Sequence, residues 1–200
     1  MAKSHDNSLI TTIKSLPPYA DLQASIESGD FSTQARNGLG LPRAARLALL
    51  TALHKDNQVP ILLLTNRSDR ALSLFDELSF WLPQEVNYYF PEPNPLFYED
   101  MPWSPSTRLD RLRVFTILSR YLLPGAQKPD IPPVIVAPIR AVMTRTVPRR
   151  TFLKNTLRVK VGDRQDFHEV SRHLVGIGYE YSNIVVQPGQ FSRRGGILDV

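Results

Sequence analysis

The sequence predicts an α/β fold: a mostly parallel sheet with flanking helices, followed by a smaller, incomplete α+β unit. Three observations predict it. Residues 59–65 and 134–137 are continuous apolar runs, the pattern of strands covered on both faces. Helical patterns separate these runs, and strand–helix alternation is the signature of a parallel sheet. After Pro148-Arg149-Arg150 the pattern changes to an alternating run at 156–161, a helix and closing strands. The domain boundary is therefore placed there, with residues 1–147 forming a first domain and 148–200 beginning a second.

The elements follow in order. Residues 1–18 are polar and end in Leu16-Pro17-Pro18, a tail or a first helix broken by the prolines. Residues 21–27 form a short helix closed by Gly29. Residues 43–53 are rich in Ala and Leu and predict a strong helix, with Pro42 tolerated at its first turn. The run 59–65 is expected to be a strand buried on both faces. Ser68 is expected to cap a helix over 69–81, with Leu72, Phe75, Leu78 and Trp81 on its apolar side. Residues 87–90 make a second strand. Residues 91–105 are a proline-rich connection, and Ser104-Pro105 opens a long helix to about 122. Residues 134–137 make a third buried strand, followed at once by a short helix over 140–144. The second unit then has a strand over 156–161, a helix over 166–176 and a strand over 184–186.

Hydrophobic residues make up 42% of the chain, enough for a packed core, and the net charge is +5. That charge suits an acidic partner, either nucleic acid or protein, without choosing between them. There is no cysteine, so neither a disulfide nor a thiolate metal site is available. His5, His54, His168 and His173 are scattered. His168 and His173 are not at the i, i+4 spacing of a helical ligand pair, so no metal site is expected. The first residues lack the apolar run of a signal peptide, and no stretch approaches the ~20 apolar residues of a membrane span. The protein is expected to be soluble and cytoplasmic.

A glycine turn, Gly38-Leu39-Gly40, opens the helix of 43–53, the place where a phosphate-binding loop would stand. A working loop needs a lysine for the β/γ-phosphates and a hydroxyl for Mg²⁺. Here Leu41-Pro42-Arg43-Ala44 follows instead, and Pro42 removes an N–H. Gly38, Gly40 and Arg43 therefore define a degenerate phosphate loop: a relic that holds an anion through Arg43 or Arg46, or a plain loop with packing arginines. No paired carboxylates, nucleophile–base pair or metal set emerges. No catalytic residue, cofactor or metal is assigned to these residues.

Two sets of arginines precede the end. Arg108, Arg111, Arg113 and Arg120 lie on the long helix, where Arg108 and Arg111 are i, i+3 and are expected to share a face beside Asp110. Arg140, Arg145, Arg149 and Arg150 cluster near the boundary and suit either nucleic acid or an acidic protein surface. The terminal stretch is the most informative. Pro188-Gly189 is a turn signal, Phe191-Ser192-Arg193-Arg194 a strand, Gly195-Gly196 a second turn, and Ile197-Leu198-Asp199-Val200 the start of another strand. Alternation puts Phe191 and Arg193 on one face and Arg194 on the other. Guanidinium groups beside an aromatic suit a protein–protein contact, since the fork pairs with carboxylates. The alternative is an internal pair between one arginine and Asp199. The apolar run at the end is expected to continue in a longer protein.

The segment 188–200 resembles the PGxFSxRGGIxDxF signature of the UvrB-homology module in bacterial transcription-repair coupling factors (Mfd). Phe97-Tyr98-Glu99-Asp100, residues 134–141 and residues 157–162 look like the same module in the same order. The resemblance implies a first domain that is a decayed, UvrB-like nucleotide-binding fold. It also implies a second domain that docks UvrA through a basic patch, with Phe191, Arg193, Arg194 and Asp199 at the contact. In UvrB a long aromatic hairpin between the second strand and the next helix enters damaged DNA. Here only the proline-rich, acidic connection 91–105 stands in that place. The resemblance further implies a longer protein that is an ATP-dependent double-stranded-DNA translocase acting on RNA polymerase. ATP and Mg²⁺ are then expected only in its motor region, and RNA polymerase and DNA only outside these residues. The competing reading is a fragment of a UvrB-like or helicase-like ATPase that uses an unusual phosphate loop.

Overall fold

The computed structural model describes residues 7–29, 41–42, 45–93 and 103–200. Helices α1 (Asn7–Lys14), α2 (Pro17–Ser28) and α3 (Ala45–Asn57) come first. Then follow β1 (Ile61–Thr65), α4 (Ser68–Leu78), a 3-10 turn at Gln84–Val86, β2 (Asn87–Tyr89), α5 (Pro105–Ser119) and β3 (Val134–Pro138). After these come α6 (Ile139–Met143), α7 (Arg149–Lys154), α8 (Phe167–Gly176), β4 (Glu180–Tyr181), β5 (Gln190–Arg194) and β6 (Ile197–Asp199).

The first sheet is parallel throughout, in the order β1-β3-β2. β3 lies at its centre and is buried along its whole length, which its unbroken apolar run suits. Alternation splits it cleanly. Val134 and Val136 pack with Leu47 of α3 and with Ala71 and Leu78 of α4, whereas Ile135 and Ala137 pack with Phe90, Val114 of α5 and Ala141 of α6.

β1 departs from expectation. Ile61 and Leu63 join the core under α4, but Leu62 and Leu64 are 52% and 45% exposed. β1 is an edge strand: Leu62 lines an open cleft with Val114 and Leu118 of α5 and Val142 of α6, and it stays half exposed. An apolar run reports hydrophobicity, but only position in the sheet decides how many faces are covered.

The N-terminal helices pack on α3 through Ile10, Ile13, Tyr19, Ala48, Leu49 and Ala52. α2 starts earlier than the sequence suggests. Pro17 and Pro18 occupy its first turn, where a missing N–H costs nothing, and Gly29 closes it at φ +70°. A polar clamp joins the three helices: Lys14 pairs with Asp56, and the Tyr19 hydroxyl donates to Asp56 at 2.6 Å. Burial pushes the Tyr19 hydroxyl's pKa up, and the acceptor Asp56 adds to that rise. Burial alone would also raise Asp56, but the hydrogen bonds from Lys14 and Tyr19 outweigh it and hold the carboxyl below its usual value. A depressed carboxyl stabilises the fold above its unfolded pKa and loses that contribution as pH falls. Asp56→Asn is thus expected to cost about 1 kcal/mol at neutral pH, since the pair is partly exposed. In urea melts the gap from the parent should close as pH falls below about 4. A gap that stayed constant down to strong acid would refute the clamp.

Further expectations change. Ser68 does not cap α4: Arg67 is the N-cap residue, and the Ser68 hydroxyl donates to Glu92 at 2.6 Å. That helix ends at Leu78 rather than Trp81. Residues 156–161 are extended but join no sheet. Lys160 and Asp163 instead close a turn through Lys160 N–H to the Asp163 carboxylate (2.8 Å) and Asp163 N–H to the Lys160 carbonyl (3.0 Å), with Gly162 at φ +94°. Residues 184–186 are also outside any strand, and β4 is the strand that pairs with β5. α7, which the sequence did not signal, stands just past Pro148 and seats Phe152 edge-on against Phe115 of α5, with centroids 5.7 Å apart.

Candidate docking hairpin

The terminal unit is built on α8. Asp166 caps it by accepting from the His168 N–H at 2.7 Å, and Val170 and Leu174 form its inner stripe. β5 and β6 make an antiparallel hairpin with Arg194 opposite Ile197. The two-residue turn Gly195-Gly196 starts at φ +59°, a value glycine adopts freely and other residues resist. This positive φ accounts for the glycine at 195.

The pleat then sorts the side chains. Phe191 and Leu198 point inward onto Val170 and Leu174. Phe191 is 3% exposed and meets Tyr181 of β4 edge-on at 5.6 Å. Arg193 shares that face, and its guanidinium lies 5.3 Å from the ring centre of Phe167 at the start of α8. Ser192 is buried and donates to the Asn183 carbonyl at 3.1 Å, tying the preceding loop to the hairpin. On the outer face Arg194 pairs with Asp199 at 3.5 Å across the diagonal of the ladder, with both groups substantially exposed. An exposed pair of this kind contributes about 0–1 kcal/mol. Ile197 stands beside it, largely exposed.

All four residues singled out from the sequence thus come together on one hairpin. Phe191 does not offer its ring to a partner: it is core, and it holds the strand that carries the arginines. The internal pair Arg194–Asp199 forms, yet it leaves the guanidinium accessible. Phe167, Tyr181 and Ile197 also belong to this surface. No local pattern marks Phe167 as the seat of Arg193, because α8 and β5 meet only in the folded chain.

The other candidates lie elsewhere. Gly38, Gly40 and Arg43 fall outside the described residues, as does Phe97-Tyr98-Glu99-Asp100. Arg46, just inside α3, donates from Nε to the Leu41 carbonyl at 3.4 Å. On α5, Arg108 and Arg111 do not share an environment: Arg108 is exposed, and Arg111 is 1% exposed. Arg111 donates to the Pro91 carbonyl at 2.8 Å and the Ala141 carbonyl at 3.3 Å, with Phe90 and Trp103 against its guanidinium. Burial pulls its pKa down. Arg113 pairs with Asp110, and Arg140 with Glu92. The His54 ring is buried against the Pro132 carbonyl at 2.7 Å. Among the described residues no helix is long and apolar enough to cross a membrane.

Residues 157–200, which include this hairpin, match the UvrB interaction domain family. Along 90% of its length the chain is 28% identical to a transcription-repair-coupling factor of Bacillus subtilis (strain 168), of which it covers 15%. It is 24% identical over 80% of its length to the transcription-repair-coupling factor of Staphylococcus aureus (strain USA300), of which it covers 13%. The factor of Staphylococcus haemolyticus (strain JCSC1435) matches at the same identity and coverage. The chain therefore spans about 15% of the length of the curated relatives it matches. The chain is thus similar along most of its length to part of transcription-repair-coupling factors, and its terminal hairpin lies inside the segment that matches the UvrB interaction domain.

Proposed function

We propose that this chain is a protein-docking module of transcription-coupled nucleotide excision repair, and that its β5–β6 hairpin binds UvrA. The observation that carries the reading is the hairpin itself. Within the segment related to the UvrB interaction domain, it holds Arg194 in the open on a strand anchored by Phe191. Arg194 offers a fork to a carboxylate, Arg193 a second cation, and Ile197 an apolar contact between them and the solvent. Asp199 keeps Arg194 extended over the ladder, and a partner carboxylate takes its place or shares the fork. In the longer relatives this docking would bring UvrA to stalled RNA polymerase, with DNA translocation and ATP hydrolysis supplied by other regions.

Calorimetric titration against UvrA tests it. Arg194→Glu is expected to weaken binding by about 2 kcal/mol or more, because it sets like charges against each other. Arg193→Glu should cost less, since its guanidinium is partly occupied by Phe167. Thermal melts should be unchanged for Arg194→Glu, as surface changes stay within about 0.5 kcal/mol. Unaltered affinity for this variant would remove the docking role. The module is also proposed to be without ATPase activity, because Leu41-Pro42-Arg43-Ala44 replaces the lysine and hydroxyl of a phosphate loop. Saturable micromolar binding of a fluorescent ATP analogue, abolished by changing Gly40, would favour a UvrB-like ATPase instead.

A further inference from the structure

The charge of this chain is not spread evenly. Residues 139–200 hold eleven Lys and Arg against five Asp and Glu, whereas residues 1–138 hold thirteen against fourteen. Within the basic part, Arg145, Arg149, Arg150, Lys154, Arg158, Lys160 and Arg164 are all exposed. None of the seven forms an ion pair with a described residue. Asp163 is the only acid in that stretch, and its carboxylate is turned to the Lys160 backbone N–H.

These cations are also segregated from the apolar side chains between them. Thr151, Phe152, Asn155, Leu157 and Val159 line a mostly apolar cleft of about 950 Å³ between α5 and α8. Arg149, Arg150, Lys154, Arg158 and Lys160 do not line it. On α7 the i, i+4 pair Arg150 and Lys154 shares a face, and along the extended 156–161 segment Arg158 and Lys160 share a side. The result is a cationic face backed by an apolar one. The cationic face has no aromatic anchor: Phe152 is the only aromatic from 139 to 166, and it packs on Phe115.

We infer that this face binds the phosphate backbone of duplex DNA without regard to sequence. Unpaired, exposed guanidinium and ammonium groups release counterions from a polyphosphate at no cost in broken internal ion pairs. A protein hot spot would want a buried aromatic or apolar anchor, and single strands would want exposed rings on which bases stack. Neither is present on this face. The inference does not depend on the UvrA reading, which rests on β5 and β6.

The test is fluorescence anisotropy of a labelled mixed-sequence duplex titrated with the whole chain at several salt concentrations. Micromolar-range affinity is expected, falling steeply between about 50 and 200 mM salt. The variant R150Q/K154Q/R158Q/K160Q should bind about tenfold or more weakly at low salt, with a log–log salt slope reduced by about 3. A variant with the same charge loss elsewhere, K55Q/R67Q/R108Q/K128Q, should keep most of the affinity and the slope. A lesion-bearing duplex should bind like its undamaged control. Equal losses in the two variants, a salt-independent affinity, or tighter binding of the matching single strand would each overturn the assignment. So would intact duplex binding in the first variant with weakened UvrA binding, which would make the face a protein surface.

Discussion

Arg111→Ala is expected to destabilise the fold by about 2–4 kcal/mol, a large fraction of the stability of a small protein. Three losses add. The guanidinium leaves two buried carbonyls, Pro91 and Ala141, without their donor. The ring contacts to Phe90 at 4.0 Å and Trp103 at 5.0 Å disappear. A cavity opens between α5 and the end of β2. One gain offsets them: Nε and Nη2 of Arg111 are buried without a hydrogen-bond partner among the described residues, and alanine removes that desolvation cost. Arg111→Met loses the polar and cation–ring contacts but keeps much of the volume, so it should cost less than alanine. Arg111→Lys should be nearly as damaging as alanine, because an ammonium cannot lie flat between two rings while reaching two carbonyls. Urea denaturation of the three variants gives the order. If alanine proved harmless, Arg111 would not be a structural cross-link between the 91–93 segment, α5 and α6.

Phe191→Ala should cost about 3–5 kcal/mol, because it removes the central ring of the terminal core. The sequence alone suggests a contact residue that could be trimmed without harm to the fold. Burial against Val170, Leu174 and Tyr181 changes that expectation. Loss of the ring should loosen β5 from α8 and carry Arg193 away from Phe167. UvrA binding would then fall together with the melting transition, unlike Arg194→Glu, where affinity falls alone. Phe191→Leu separates the two effects. It should restore most of the stability and, because the strand stays in place, most of the docking. Weak binding by a fully stable Phe191→Leu variant would show that the ring itself is needed at the contact.

The sequence by itself determined the features whose signals are local. The apolar run at 134–137 marked β3 as a strand, Ser104-Pro105 started α5, and the helix expected over 166–176 stands as α8. Arg-Arg-Gly-Gly between apolar residues marked the turn of the terminal hairpin, where Gly195 stands at φ +59°. The tertiary structure decided whatever depends on what lies opposite. β1 has the same apolar character as β3 but stands at an edge, so Leu62 and Leu64 face outward. Residues 156–161 alternate like a strand, yet a strand exists only where another edge accepts its hydrogen bonds. Arg111 and Arg108 are indistinguishable by type and spacing. One became a buried cross-link because Phe90, Trp103 and two carbonyls converge on it from distant parts of the chain. Phe191 passed from contact residue to core for the same reason: α8, remote in sequence, folds across it. Side-chain chemistry and turn geometry are carried by neighbouring residues, whereas coverage, pairing and burial are set by long-range contacts.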